Sequence, residues 1–391
     1  MILLEKAKAL FVKTFKDDKH VLGCFSHGRM EIIGNHTDHN NGFAIVAGCD
    51  MGITAAFRKA DEVAIVSEGF RPFRFNPNHL TYYKEQEGSS LSIVKGVMVK
   101  MKKLGYAVGG FEAALSSDIL PGSGVSSSAA FEALIVKILL ELYNKDKEMD
   151  PLTMAQVCHY AESKYFGKPC GLLDQIGACY GGIQFLDFEI FAEPKVEEIP
   201  FDLNCDFVLV ISPSSHAKLT PYYAAIPADM ESVASKMFGK HCLRECDREE
   251  FMRKLAVPTP GVSEIAKLRA QHYFDENIRV HEAKKAILNK DLPLFFRMLK
   301  ESGFSSRNLL MNTMVPGIYA DSPQEALDRA GLEIKEGEGA VRIHGGGFAG
   351  GILCVTLPEN TDAFIRKMIA YYGKDHVRKV QIVEGGPCII E

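Results

Sequence analysis

The chain has 391 residues, 47% hydrophobic and 24% charged, which is enough material for two domains with buried cores. A formal net charge of −5, with no long block of like charge, excludes a general electrostatic attraction to nucleic acid or anionic membrane. Charges interrupt the N-terminal Met1-Ile2-Leu3-Leu4-Glu5-Lys6-Ala7-Lys8, and no apolar run is long enough to span a bilayer, so a soluble, cytoplasmic protein is expected.

Apolar residues at Leu3, Leu4, Ala7, Leu10, Phe11 and Phe15 predict a helix over 2–16. Val21–Phe25 reads as a short strand, and 26–42, rich in Gly, Asn, His and Asp, as irregular. Strands are expected over 43–57 and 62–67, a helix over 91–104 and a strand near 109–117. After a Gly/Ser loop, Phe131, Leu134, Ile135, Ile138, Leu139 and Leu142 recur at helical spacing, and another helix is expected near 152–166. The texture changes between 186 and 206, where the segment turns acidic and poor in glycine. A domain boundary is placed there, dividing the chain into 1–200 and 201–391. Beyond it come a strand over 207–212, helices from about 228 to 330, strands at 340–344 and 352–357 around a glycine run, a helix over 360–372 and a strand near 378–384.

Ten cysteines are scattered through the chain and are expected to be free thiols. The nearest pair, Cys242 and Cys246, lacks a second pair at zinc-site spacing.

Four segments concentrate chemistry. Pro121-Gly122-Ser123-Gly124-Val125-Ser126-Ser127-Ser128-Ala129-Ala130 runs from a strand into an amphipathic helix. A helix N-terminus has unpaired N–H groups and partial positive charge, and glycines let the backbone approach a phosphate. The stretch has no Gly-Lys-Ser/Thr and is not a Walker loop. Gly28–Gly42 gathers Arg29, Asn35, His36, Asp38 and His39, many directed hydrogen-bonding groups of the kind a polyhydroxylated ligand needs. A metal reading of His36, Asp38 and His39 stays open there, although their spacing matches no helical zinc motif. In 158–182, Glu162 and Asp174 are carboxylates suited to a magnesium ligand and a base, respectively. His344–Gly351, between two strands, reads as a glycine hairpin or a ligand-supporting loop.

Together these segments resemble the GHMP kinases (galacto-, homoserine, mevalonate and phosphomevalonate kinases), and within them the galactokinases, over the whole chain. Gly28–Gly42 resembles Gly-Arg-x-Asn-Leu-Ile-Gly-Glu-His-Thr-Asp-Tyr-Asn-Gly-Gly, and the Gly/Ser loop resembles Gly-x-Gly-Leu-Ser-Ser-Ser-Ala. Ala161-Glu162 with Pro169–Gln175 resembles Ala-Glu and Pro-Cys-Gly-Ile-Met-Asp-Gln. The resemblance implies an α+β two-domain fold, with a ribosomal protein S5 domain 2-like N-terminal domain and a ferredoxin-like α/β C-terminal domain. It implies an ATP-dependent sugar 1-kinase, a phosphotransferase acting on an alcohol group, taking galactose to galactose 1-phosphate as a monomer with ATP and Mg2+. Asp174 is then the catalytic carboxylate at the anomeric hydroxyl, with Arg29 holding it ionised. Gly122, Ser123, Gly124, Val125, Ser126, Ser127 and Ser128 wrap the ATP phosphates, and Ser128 and Glu162 hold magnesium. Asn35, His36, Asp38, Gly171, Asp174 and Tyr223 contact the sugar.

The chain departs from the family pattern at the sugar end. Asn35 stands for Glu, His39 for Tyr, Glu31 for Asn, and Ser26-His27 for Ala-Pro. An amide at 35 can donate to a C6 carboxylate that Glu would repel, so a galacturonokinase is the alternative. A galactokinase-like sugar sensor without catalysis is a second alternative, disfavoured by retention of Asp174 and Arg29. A metal-dependent hydrolase built on His36–His39 is a distant third.

Overall fold

The computed structural model describes residues 2–120, 122–168, 170–214 and 219–391. Pro121 of the Gly/Ser stretch and Pro169 of the Pro-Cys-Gly segment lie outside them. In chain order the elements begin with α1 (Ile2–Phe15), β1 (Leu22–Ile33), β2 (Phe43–Lys59), β3 (Val63–Ser67), β4 (Phe73–Phe75), α2 (Ser90–Lys103) and β5 (Phe111–Ser117). Helices α3 (Ser127–Tyr143), α4 (Pro151–Ala161) and α5 (Leu173–Tyr180) follow, then β6 (Ile183–Asp187) and β7 (Lys195–Glu198). The second half contains β8 (Asp206–Ile211), α6 (Thr220–Phe238), α7 (Arg248–Lys254), α8 (Glu264–Leu288), α9 (Leu292–Ser305) and α10 (Pro323–Glu333). It closes with β9 (Gly339–Ile343), β10 (Gly351–Thr356), α11 (Pro358–Tyr372), β11 (Val377–Val380) and β12 (Cys388–Ile390).

Two sheets organise the chain. The first has the order β12-β1-β2-β5-β3-β4, with β6 on β2 and β7 on β6. The second has the order β11-β8-β10-β9. All four strands of the second sheet pair antiparallel. Renumbered within their own unit they read 4-1-3-2, the ferredoxin-like arrangement, with helices α6 to α10 inserted between its first two strands. A division near residue 200 separates the sheets except at the C-terminus, where β12 returns to pair with β1.

Helices α2 to α5 cover one face of the first sheet, and Phe131, Leu134, Ile135, Ile138 and Leu139 of α3 lie in that core. On the other face Met30, Ile32, Ile33 and Ile45 pack with Leu209, Leu353, Val280 and Phe295 of the second half. Strands β1 and β2 are thus covered on both sides, and this corrects the expected irregular segment: 26–33 is strand. Its residues look like loop in the sequence for two reasons. Register shifts between His27 and Arg29 and between Glu31 and Ile33 break the period-two alternation. Its polar side chains, Ser26, His27, Arg29 and Glu31, are buried between the two layers rather than turned to solvent. Helix α4 also ends earlier than expected, at Ala161, and runs on as a π-helical turn over 162–166. All ten cysteines are free thiols. Among the described residues no helix is long and apolar enough to cross a membrane.

Candidate active site

Strand β1 carries Arg29 to the seam between the Gly/Ser loop and helix α5. Its Nε and Nη2 donate to Asp174 Oδ1 at 2.9 and 2.6 Å, and its Nη1 donates to the Gly124 carbonyl. Its backbone N–H donates to the Val125 carbonyl at 2.9 Å. Arg29 therefore fixes the loop to the carboxylate. The approach is close because position 177 is glycine: a Cβ there would lie 2.6 Å from the Arg29 Cβ. Ser126, at the start of α3 with φ +58°, donates its hydroxyl to Asp174 Oδ2. Both Asp174 oxygens are thus held. Burial pushes the carboxyl's pKa up, but Arg29, then Lys168 and the Ser126 bond, outweigh it and leave it below the ordinary carboxylate range. Asp174 is a defined anion in the first turn of α5, where the helix dipole also favours negative charge.

Two residues beyond Ser126, Ser128 donates to Glu162 Oε1 at 2.9 Å. Glu162 opens the π-helical turn, a distortion that frequently marks functional positions. Lys168 donates to the same oxygen at 2.9 Å, and Gln175 Nε2 to Oε2 at 2.6 Å. Lys168 and Gln175 were not singled out from the sequence, although both lie in the segment that carries Glu162 and Asp174.

The loop Gly34–Gly42 faces these groups. Asp38 leans over Gly171 so closely that a Cβ there would be 1.7 Å from Asp38 Oδ2. A side chain at 171 would force the Asp38 carboxylate to move. Burial, and then the Asp174 charge, push the Asp38 carboxyl up to about 7. His36 and His39 form a directed chain rather than a metal site. His36 Nε2 lies 3.0 Å from the Gly346 carbonyl, which only accepts, so Nε2 carries the proton. His36 Nδ1 then accepts from His39 Nε2 at 3.2 Å, and His39 Nδ1 accepts from the Asn40 amide at 3.1 Å. Burial lowers the pKa of both rings, consistent with neutral imidazoles. Among the described residues no group of three or more His, Cys, Asp or Glu is placed to hold a metal ion.

The glycine run forms a roof over this loop. Asn35 donates to the Gly345 carbonyl at 2.7 Å, Asn312 to Gly346 at 3.2 Å and Tyr223 to Gly347 at 2.8 Å. Asn35 itself is fully buried. Its second amide hydrogen goes to Glu31 Oε1 at 2.9 Å, and its oxygen accepts from Asn312 at 2.7 Å. Position 35 therefore stands behind the site, with no amide donor left to offer a sugar. His344, unnoticed as a single residue in the sequence, accepts from the Glu31 N–H at 3.2 Å and donates from Nδ1 to the Ser123 carbonyl at 3.0 Å. It joins the glycine run to the Gly/Ser loop.

These burials set opposing pH dependences. Burial, then Arg29, lower His344 to about 3, so the unfolded chain takes up that proton first and stability is lost as pH falls below about 6.5. Asp38, raised to about 7, has the opposite sign: the folded state binds the proton first, and stability is gained as pH falls from about 7 toward the ordinary range. Thermal unfolding scanned from pH 7 to 5 is expected to fall more steeply in Asp38→Asn than in the parent and less steeply in His344→Gln.

A helix-start anion loop set against an arginine-held carboxylate is the equipment of a phosphoryl-transfer enzyme. Comparison with known proteins gives the chain's likenesses. The model for the GHMP kinases N terminal domain matches residues 92–182, and the galactokinase galactose-binding signature matches 9–59. The chain is 29% identical over 357 residues to a galactokinase of Glaesserella parasuis, covering 88% of each. It is 28% identical over 355 residues to one of Pyrococcus furiosus, covering 89% of this chain and 93% of the relative. The crystal structure of Lactococcus lactis galactokinase complexed with galactose aligns with a TM-score of 0.83 at 25% identity, covering 97% of this chain and 98% of that one. The chain carries a GHMP kinases N terminal domain, is similar to galactokinases over most of its length, and is a phosphotransferase.

Proposed function

We propose that the chain is an ATP-dependent sugar 1-kinase whose sugar is galactose, producing ADP and galactose 1-phosphate. The observation that carries this reading is the ionised Asp174, fixed by Arg29 and Ser126 at the mouth of the Gly/Ser loop. The attacking O1 hydroxyl would lie against Asp174, which receives its proton as the O1–phosphorus bond forms and ADP departs. Arg29 keeps that carboxylate ionised and adds positive charge where the transferring phosphoryl passes. Gly122 to Ser128 would wrap the ATP phosphates. Such catalysis is largely positioning and charge stabilisation.

The candidate place for magnesium is the Ser128–Glu162 pair, where an ion would take the position beside Glu162 Oε1 that the Lys168 ammonium holds. Ser128 and Glu162 offer a hydroxyl and a carboxylate 2.9 Å apart, and Mg2+ is commonly held by one or two protein oxygens together with substrate phosphates. Ser128 and Glu162 would hold it there, and it would neutralise charge on the β- and γ-phosphates. Gln175 keeps Glu162 oriented from behind.

His36, Asp38, Gly171 and Tyr223 are proposed to form the sugar end. A uronate is the less favoured substrate. The reason to expect one was a free amide at 35, and both of its donors are engaged within the protein. Asp38 and Asp174 lie together at this end, and a further carboxylate there would meet like charge. A coupled ADP-release assay across galactose, galacturonate, arabinose, glucuronate and N-acetylgalactosamine tests the reading. Galactose is expected to give the highest kcat/KM. Faster turnover of galacturonate would overturn the sugar assignment, and ADP release independent of every sugar would overturn the kinase reading.

A further inference from the structure

The backbone of the loop that would meet the sugar is held in part by the second half of the chain. Helix α8 presents His272, Tyr273, Glu276 and Asn277 on one face, at i, i+1, i+4 and i+5. Glu276, fully buried, accepts from the Gly34 N–H at 3.1 Å, the Asn35 N–H at 3.4 Å and the Ser302 hydroxyl at 2.6 Å, all on Oε1. Its Oε2 accepts from Arg279 Nε at 2.8 Å. His272 Nε2 donates to the Asn35 carbonyl at 2.9 Å, which leaves Nδ1 to accept from the Ser305 hydroxyl at 2.8 Å. Further along, Tyr273 donates to the Asn40 carbonyl at 2.9 Å, and Asn277 accepts from the Phe43 N–H at 2.8 Å.

The grip converges on one residue. Asn35 has its N–H, its carbonyl and both ends of its side chain fixed at once. The residue after it, His36, sits at φ +58°, a left-handed conformation unfavourable for a non-glycine residue that persists when its surroundings determine it. That turn sends the His36 ring to Gly346 and sets Asp38 against Gly171.

We propose that Glu276 and His272 are positioning residues for the sugar: by holding the Gly34–His36 backbone they present Asp38 and His36 to the site beside Asp174. This rests on the sugar-kinase reading, and it adds that sugar affinity is set by Glu276 and His272 while other residues, Arg29 and His344, tie down the ATP loop. A role confined to holding the fold together would lower stability without separating the two substrates. The separation is therefore what the experiment reads.

Steady-state KM values for galactose and for ATP, with galactose binding by titration calorimetry and thermal unfolding, are compared for the parent, Glu276→Gln, Glu276→Ala and His272→Ala. Misplacing a binding group by about an ångström is enough to expect a rise in galactose KM of about tenfold or more in Glu276→Ala, with ATP KM within about twofold of the parent. Glu276→Gln keeps an acceptor oxygen for the two N–H groups and should recover most of the loss. His272→Ala should raise the galactose KM severalfold, again sparing ATP, and it carries the test alone if Glu276→Ala does not fold. An unchanged galactose KM in His272→Ala, or a parallel rise for both substrates, would overturn the proposal. A parent enzyme that phosphorylates another sugar instead would contradict the galactose assignment and not the positioning role, which is then read with that sugar.

Discussion

Asp174→Asn is expected to lower kcat by about 10^2- to 10^4-fold, the range over which a positioned proton acceptor contributes, while binding of both substrates changes much less. The substitution keeps shape. The amide oxygen can stay toward Arg29 and accept its two donors, and the amide nitrogen can face the Ser126 hydroxyl, which accepts once its own proton turns away. What disappears is the negative charge. The sugar hydroxyl loses the group that takes its proton, and Arg29, buried and pointed at the same place, loses its counter-ion. The loss should therefore appear in kcat rather than in either KM. Because Arg29, Lys168 and Ser126 together hold the parent carboxyl below its ordinary range, parent turnover should not show a limb from Asp174 between pH 5 and 8. Steady-state kinetics and a pH profile of kcat read both points. Turnover at the parent rate in Asp174→Asn would remove this residue from the chemistry.

The phosphate end of this site could be read from the sequence because its physics is local. A strand, two glycines, three serines and an amphipathic helix are contiguous, and α3 buries the residues its periodicity marked except Leu142, which is partly buried. The same holds for Glu162 and Asp174, which sit at a helix turn and a helix start within a dozen residues of each other. The sugar end is different. Gly28–Ile33 looks irregular because bulges and two-sided burial erase strand alternation, and only the pairing with β2 and the cover from α8 and α9 make it regular. Asn35 occupies a motif position, but its side chain direction depends on Glu31, Asn312 and Gly345, two of which lie some three hundred residues away. Helix α8 falls in the span expected to be helical, but nothing in the sequence singles out its site-facing residues. His272 and Glu276 are buried where that helix meets the loop Gly34–Phe43. Local recipes survive in a sequence. Long-range polar contacts between two sheets do not.

The largest stability effect is expected from Arg342, at the meeting of those sheets. It is fully buried on β9 and donates from Nη2 to Glu31 Oε1 and from Nη1 to the Glu31 carbonyl, both at 2.9 Å, and from Nε to Ser302 at 3.3 Å. Removing one partner of a buried ion pair leaves an uncompensated charge, so Arg342→Met should cost about 3–5 kcal/mol in equilibrium unfolding. Glu31, almost entirely buried, would then keep the Asn35 amide as its side-chain partner among the described residues. The paired substitution Glu31→Gln/Arg342→Met removes both charges and should recover a large part of that loss, because most of the cost of the single change is the stranded carboxylate rather than the bond itself. A urea-unfolding double-mutant cycle measures the difference. If the double variant were as unstable as the sum of its singles, the pair would not be coupled and the cost would lie in packing the volume of Arg342. Coupling is the expected result, since the contact also governs the site. The Glu31 peptide N–H that Arg342 helps to hold is the donor that fixes the His344 tautomer, and His344 in turn holds the Ser123 carbonyl of the phosphate loop.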